Sequence, residues 1–201
     1  MSLTLTLPTK SWQRIDLCSS SGDITVDESL QCLELSVVTA SGDVEITSAH
    51  ARNADLHTAS GDITLTGDFE TLSAGTASGD IETDHVHCNR ADFGTASGDI
   101  TARLFCDQLE IGTASGDVEL SFPGQLPKTT TVGTASGDCS IQVPTNQGFH
   151  LNFETHSGEF HSDMPFSGIH STKNVNLTYL TGSTCEINVS SSSGDFEIYT
   201  G

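Results

Sequence analysis

Nine acidic side chains recur directly after a Ser-Gly pair, and a regular row of carboxylates is a candidate cation site. They are Asp23, Asp43, Asp62, Asp80, Asp99, Asp117, Asp138, Glu159 and Asp195. Calcium prefers several oxygen ligands that converge on one ion, whereas each copy supplies one glycine and one acid. The favoured interpretation is hydrogen bonding at a chain corner that involves the preceding Ser. Calcium at Asp62, Asp80, Asp99 and Asp117 is the weaker alternative.

Histidines form two small groups with acidic neighbours. His85 and His87 lie beside Asp84, and His156 and His161 lie around Glu159. A structural zinc site needs four fixed nitrogen or sulfur ligands, and neither group supplies them without distant help. We therefore expect solvated surface imidazoles, with no metal and no cofactor.

The motifs of known catalytic sites do not occur in the sequence. In Gly75-Thr-Ala-Ser78-Gly79 the serine stands one place too late for a G-x-S-x-G elbow. The same five-residue motif begins again at Gly94, Gly112 and Gly133, and a catalytic nucleophile is not expected in every repeat. We predict that the chain is not an enzyme. A carbohydrate-binding or carbohydrate-cleaving β-helix is the alternative, although one Trp and two Tyr provide few aromatic rings for stacking on sugars.

The Ser-Gly-acid signature recurs at almost constant intervals. Its glycines lie at Gly22, Gly42, Gly61, Gly79, Gly98, Gly116, Gly137, Gly158 and Gly194, in steps of 20, 19, 18, 19, 18, 21, 21 and 36. A period near 20 is typical of a solenoid whose repeats each stack on their neighbours. The last step is long enough for about two degenerate repeats.

Both sides of each glycine alternate with period two, as strands with one buried face do. Leu109-Glu-Ile111-Gly-Thr113 precedes one signature and Val118-Glu-Leu120 follows it. A third segment carries a column formed by Cys32, Ala51, Phe69, Cys88 and Cys106. Glycine is expected at the corner for its backbone angles. The pattern predicts an all-β, single-stranded parallel β-solenoid (β-helix), right-handed, with about nine to ten coils of ~19 residues.

In seven of the nine copies a threonine two residues before the Ser shares the apolar face, so its hydroxyl is expected to point inward and bond along the stack. These are Thr39, Thr58, Thr76, Thr95, Thr113, Thr134 and Thr155.

The chain is predicted to form one domain. Residues 1–14, with Thr4-Leu5-Thr6-Leu7 and Trp12, are interpreted as a strand that caps the first coil, and residues 15–201 as the solenoid. Insertions in 166–184 predict a looser C-terminal end with an exposed edge.

A strip of very small residues is predicted on the outward face. It consists of Ala59, Ala77, Ala96, Ala114 and Ala135 (with Ala40 before them) together with Gly75, Gly94, Gly112 and Gly133. Gly and Ala are poor solvent-facing strand residues, and bare backbone lets another chain approach. A docking surface for a partner or second copy is one interpretation; tight local packing is the other.

The net charge and the cysteines limit which partners and which compartment are expected. The formal charge of −20 disfavours nucleic acid and anionic membranes, and like-charged solenoids resist stacking end to end. No apolar run is long enough to span a bilayer, and no signal peptide precedes the repeats. Six cysteines without CxxC spacing are expected to be free thiols, typical of a reducing compartment such as the cytoplasm. The alternative is a fragment from which targeting segments were removed. A bridge between Cys88 and Cys106 on adjacent coils is geometrically conceivable.

The Thr-x-Ser-Gly-Asp-Ile/Val units resemble bacterial putative-adhesin β-solenoids, called toast-rack domains, a family of unknown function. The stretch from Val143 to Glu159 and the ending from Cys185 to Ile198 are especially similar. The resemblance covers residues 15–201 and implies a scaffolding, sensing or adhesive role at the cell envelope. It brings no catalytic residues. We therefore expect a structural module that uses the faces of the rod for protein contact or self-association.

Overall fold

The computed structural model describes residues 7, 8, 10–26, 29–169, 173–180 and 182–201. Within these residues every regular element is a β-strand. The strands are β1 (Trp12–Ser19), β2 (Ile24–Val26), β3 (Leu30–Thr39), β4 (Val44–His57), β5 (Ile63–Gly75), β6 (Ile81–His87), β7 (Arg90–Thr95), β8 (Ile100–Phe105), β9 (Gln108–Thr113), β10 (Val118–Ser121), β11 (Thr129–Thr134), β12 (Cys139–Val143), β13 (Phe149–Thr155), β14 (Phe160–Ser162), β15 (Ser167–Ile169), β16 (Asn174–Tyr179), β17 (Glu186–Ser191) and β18 (Phe196–Thr200).

The coils up to β9 contribute three short pairing segments, as the repeat predicts. Between β4 and β5 these segments are 44–46, 49–51 and 53–57, each paired in parallel with the next coil. A register irregularity separates the first two segments and marks a corner. The fold is therefore an all-β parallel solenoid.

The core is a set of continuous columns that run along the stack. Leu72, Ala91, Leu109 and Thr130 occupy one register position in successive coils. All four are buried, because period-two alternation turns the same positions of every coil inward. The predicted Cys32 column is also in register, since Cys32 pairs with Ala51 and Ala51 with Phe69.

Seven corners, from Gly22 to Gly137, stack in chain order, and the order then changes. β11 and β12 pair with β17 and β18 rather than with β13 and β14. β17 and β18 pair on their other side with β13 and β14. The last coil of the chain thus lies between the two coils that precede it in sequence. Seven coils stack in chain order, slightly fewer than the nine to ten predicted, and the two coils that follow are out of order.

This intercalation corrects the interpretation of the C-terminal end. The ending around Ile187 and Ile198 is not a loose edge, because both side chains are 1% exposed or less and both strands are paired on two sides. The long step before Gly194 does not contain two further stacked repeats. Its residues instead form β16, antiparallel to β13, and β15, antiparallel to β16.

An aromatic cluster packs at this end of the stack. Phe153 lies 5.2 Å from Phe196 and 6.2 Å from Phe160 between ring centroids. Phe166 contacts Phe149 at 6.1 Å and Tyr179 at 6.0 Å in edge-on arrangements. These rings pack the coil of β13 and β14 against the β15–β16 segment, so the irregular insertion has a packing role.

Half of the predicted N-terminal cap falls outside the described residues. Residues 1–6 and 9 are not described, and β1 begins at Trp12, with the Lys10 ammonium 4.0 Å from the centre of its ring. The cap over 1–14 stays a prediction, as does the right-handed winding.

Candidate functional site: the acidic corner and the small-residue strip

The nine acidic side chains form one unbroken ladder along a corner of the solenoid, which we call the acidic corner. In each step the backbone N–H of one acidic residue donates to Oδ1 of the acid in the preceding coil. Asp80 donates to Asp62 at 2.9 Å, and Asp99 donates to Asp80 at 2.8 Å. Near the end of the stack Glu159 donates to Asp195 at 2.8 Å. The predicted corner hydrogen bonding is confirmed, and it explains how exposed like charges are held one coil apart.

The threonine hydroxyls point inward at the same corner, and the five from Thr39 to Thr113 each make two hydrogen bonds. Thr95 Oγ1 accepts from the N–H of Gly98 at 3.1 Å and donates to the carbonyl of Gly79 in the preceding coil at 3.1 Å. Thr58 and Thr76 repeat this pattern. The inward direction is therefore confirmed, with Thr95 only 8% exposed.

Threonine, rather than the serine next to the glycine, is the main side-chain partner of this turn. The adjacent serines also bond along the stack at three places, where Ser136, Ser157 and Ser193 donate to carbonyls of neighbouring coils. The sequence pattern identified both columns but did not separate their roles.

Close approach, not unusual backbone angles, is why the corner needs glycine. A Cβ on Gly79 would overlap the backbone carbonyl of Gly61, and the same holds at each later corner. Among the described glycines, positive φ occurs only at Gly67 and Gly182. The sequence-based reason was therefore wrong, although the requirement for glycine was correct.

The acidic corner does not gather ligands around one point. Each carboxylate belongs to a different coil, and coils are spaced about 4.8 Å apart along the stack. Throughout the part of the chain that the structure describes, no group of three or more His, Cys, Asp or Glu side chains could hold a metal ion. The row Asp62, Asp80, Asp99 and Asp117 is thus a hydrogen-bonded ladder, and nothing in its geometry favours calcium.

The two histidine groups are exposed imidazoles, of which His85 and His161 lie beside carboxylates. His85 Nδ1 lies 2.8 Å from Asp84 Oδ2, while the His87 ring packs 4.6 Å from the Phe105 ring. In the second group, His161 Nε2 lies 3.8 Å from Glu159 Oε2. His156 contributes its backbone carbonyl, which accepts a hydrogen bond from the Lys173 ammonium. These contacts are those of surface imidazoles and do not assemble a catalytic group.

The small-residue strip lies on the outward face as predicted, but it has two parts. The glycines Gly75, Gly94, Gly112 and Gly133 are strand residues in direct register. The alanines Ala59, Ala77, Ala96, Ala114 and Ala135 lie just beyond the strand ends and are exposed.

Most glycines of the strip are not required by the fold. A Cβ on Gly112 would meet nothing within 4 Å, and at Gly94 and Gly133 the nearest atom would be 3.8 Å away. Gly75 differs, because a Cβ there would lie 2.8 Å from His57 Nδ1. Three successive coils therefore expose bare backbone where a side chain would fit, and local packing does not account for it.

A shallow depression of about 180 Å³ lies on the same strands as the strip. It is lined by Arg90, Gln108, Glu110, Thr129 and Thr131, together with the backbone neighbours Ala91 and Leu109. The Arg90 guanidinium donates to Glu110 at 3.0 Å across one edge of it. The face beside the strip is thus polar and carries both signs of charge.

A second depression of about 410 Å³ lies on another side of the rod. Arg103, Glu119, Gln142 and Gly201 are among the residues that line it. It includes none of the site residues that the sequence predicts.

The geometry described above defines a parallel β-solenoid with a corner ladder and no assembled catalytic group within the described residues. The chain matches the Toastrack family, DUF4097, over residues 1–199. It therefore belongs to this family, as the repeat units indicate.

Other comparisons add little about function. No curated protein matches the chain. A solved structure from Clostridium sporogenes, titled a "putative cell adhesion protein", is similar at 16% identity and a TM-score of 0.41. The match covers 68% of this chain and 57% of that one. Within the described residues, no helix is long and apolar enough to cross a membrane.

Proposed function

We propose that this protein is a non-enzymatic interaction module, an adhesin-like scaffold that contacts other proteins or a second copy through the small-residue strip. One observation carries the proposal. Gly94, Gly112 and Gly133 stand side by side on an exposed strand face, in open space that would accept a side chain.

Glycine in a strand lowers stability because it adds backbone entropy to the unfolded state and supplies no side-chain packing. At the corner, close approach offsets this cost. On the strip the fold offers no such compensation, which is why contact with another surface is the explanation that we favour. A strand or sheet can approach bare backbone more closely than it can approach a face covered by side chains.

The charges around the strip favour a polypeptide over a polyanion. The net charge of −20 repels nucleic acids and anionic lipid surfaces. The face beside the strip carries the Arg90–Glu110 pair and the hydroxyls of Thr129 and Thr131, which suit polar contacts at the rim of a protein interface.

A charged side chain placed on the strip tests the proposal without disturbing the fold. Gly112→Lys adds a side chain where space is open, and we expect it to abolish self-association detected by sedimentation velocity. The matched control is Thr101→Lys, at an exposed position of β8, which should leave the mass distribution unchanged.

Contact with a different protein is tested by a photo-crosslinking amino acid placed at position 112 or, as control, at position 101. Adducts in cells that depend on position 112 support the proposal. If the wild-type protein stays monomeric and neither position gives an adduct preferentially, the strip is not a contact surface.

A further inference from the structure

Two cysteines stack directly on one another in neighbouring coils, and the proposed interaction role does not use them. His87 of β6 is in register with Phe105 of β8. The backbone N–H of Cys88 donates to the carbonyl of Phe105 at 2.9 Å. Cys88 and Cys106 therefore follow equivalent residues and occupy the same position at one corner of adjacent coils.

This placement satisfies the main distance requirement of a disulfide. Neighbouring strands of a parallel sheet lie about 4.8 Å apart, and bridged cysteines have Cα atoms about 4.4–6.8 Å apart. A hydrogen-bonding interaction with the Cys88 thiol, followed by burial, raises the pKa of the Cys106 thiol, as expected for two neighbouring sulfur atoms.

Exposure distinguishes this pair from the other cysteines. Cys32, Cys139 and Cys185 are buried, and Cys18 is exposed but stands far from a second thiol in the register of β1 with β3. Cys88 and Cys106 are half-buried. They combine a neighbouring thiol with access from solvent, which is what exchange with a small reagent needs.

We propose that Cys88 and Cys106 are a reactive dithiol that a small-molecule disulfide converts into an intramolecular disulfide, which clamps two adjacent coils together. The Cys88 thiolate attacks one sulfur of glutathione disulfide, the reagent's S–S bond breaks, and one glutathione thiolate leaves. The Cys106 thiolate then attacks the Cys88 sulfur of the mixed disulfide and releases the second glutathione. Two cysteines are oxidised to one disulfide, and one glutathione disulfide is reduced to two thiols that take up the two protons.

The disulfide follows from the register of the two cysteines, whichever thiol attacks first. The raised pKa of the Cys106 thiol agrees with attack by Cys88 and resolution by Cys106. The clamp joins two coils that otherwise adhere through backbone hydrogen bonds and packing. Closing the loop between residues 88 and 106 restricts the unfolded chain, so oxidation is expected to raise the melting temperature by roughly 5–10 °C.

The test oxidises the full chain with glutathione disulfide, blocks remaining thiols with N-ethylmaleimide, and maps peptides without reduction. Tryptic cleavage after Arg90 and Arg103 separates the two cysteines, so a peptide linked through Cys88 and Cys106 identifies the bond directly. We expect this linked peptide, the loss of the maleimide labels at Cys88 and Cys106, and the higher melting temperature.

Variants locate the roles of the two thiols. In Cys106→Ser the glutathione adduct at Cys88 should persist, because no resolving thiol remains. Cys18→Ser should leave the linked peptide unchanged. In the wild-type chain, modification of Cys18 shows that the reagent is active, so the readout does not depend on any variant folding. If Cys18 is modified while Cys88 and Cys106 both remain open to alkylation, or if either links to a different cysteine, the proposal is wrong.

Discussion

The backbone N–H of Asp195 donates to Oδ1 of Asp138 at 2.8 Å, although the two residues are 57 positions apart in the chain. On its other side Asp195 accepts from the N–H of Glu159. Asp195 therefore connects two coils that are consecutive in sequence but not in space. The acidic corner remains continuous only because the last coil enters the stack between them.

This arrangement makes the C-terminal coil an internal element. The stack beyond Gly137 is incomplete until residues 186–200 are in place, since β13 and β14 obtain their parallel partners from β17 and β18. Amide groups continue the connection on the outward face, where Asn176 donates to Asn152 at 2.7 Å and Asn152 donates to Asn188 at 2.9 Å.

A core substitution in the last coil tests its burial. Phe196 is fully buried and packs on Phe153 and Phe160, so Phe196→Ala should lower the free energy of unfolding by about 3–5 kcal/mol. Urea unfolding measures the difference. The control Tyr199→Ala, three residues later on the same strand and half-buried, should cost clearly less. A frayed C-terminal end would make both substitutions nearly neutral.

The glycine requirement at the corner has a matched control in the first coil. Gly79→Ala should destabilise the protein by about 1–3 kcal/mol, because the new Cβ overlaps the Gly61 carbonyl. At Gly22 the nearest atom to a Cβ would be Ser19 Oγ at 3.2 Å, so Gly22→Ala should stay within about 0.5 kcal/mol. Equal effects in thermal unfolding would contradict close approach as the cause.

Two buried threonines should respond to the same substitution with opposite sign. Thr95→Val removes both hydrogen bonds of its hydroxyl and should cost about 1–3 kcal/mol, since the partner groups are left unpaired. Thr130 is fully buried and its Oγ1 has no hydrogen-bond partner. Thr130→Val should therefore stabilise the protein by about 1 kcal/mol. Chemical denaturation of both variants checks the sign, and destabilisation by Thr130→Val would indicate an unrecognised partner.

The acidic corner should depend on oxygen acceptors rather than on charge. Asp80→Ala removes the acceptor of the Asp99 N–H and should destabilise the fold by about 1 kcal/mol. Asp80→Asn keeps an oxygen and reduces repulsion along the ladder, so it should be neutral or slightly stabilising.

The melting midpoint of the protein should be the same in calcium and in chelator. A higher midpoint in calcium would restore the ion-stabilised alternative.

Much of this fold is readable from sequence because the repeat is local. Alternation on both sides of each Ser-Gly-acid unit determines which residues face inward, and it correctly places Thr113 beside Leu109 and Ile111 in the core. The same reasoning places the glycine strip on the outward face, because Gly112 has the opposite parity.

The order of the last coils could not be obtained in this way. Every coil offers the same edge to its neighbour, so the pattern around Val132 is equally compatible with the coil of Phe153 and with that of Val189. The long step before Gly194 indicates an irregularity but not its direction. The cause of the corner glycines was also hidden, since close backbone approach and unusual φ both select glycine.

The register of Val189 tests the account most directly. It pairs with Val132 on one side and with Phe153 on the other, and all three side chains are buried. Nuclear Overhauser spectra of the methyl-labelled protein should show the Val189 methyls close to both the Val132 methyls and the Phe153 ring. Direct contacts between Val132 and Phe153, with none from Val189 to Val132, would show that the coils stack in chain order and would contradict the intercalated solenoid.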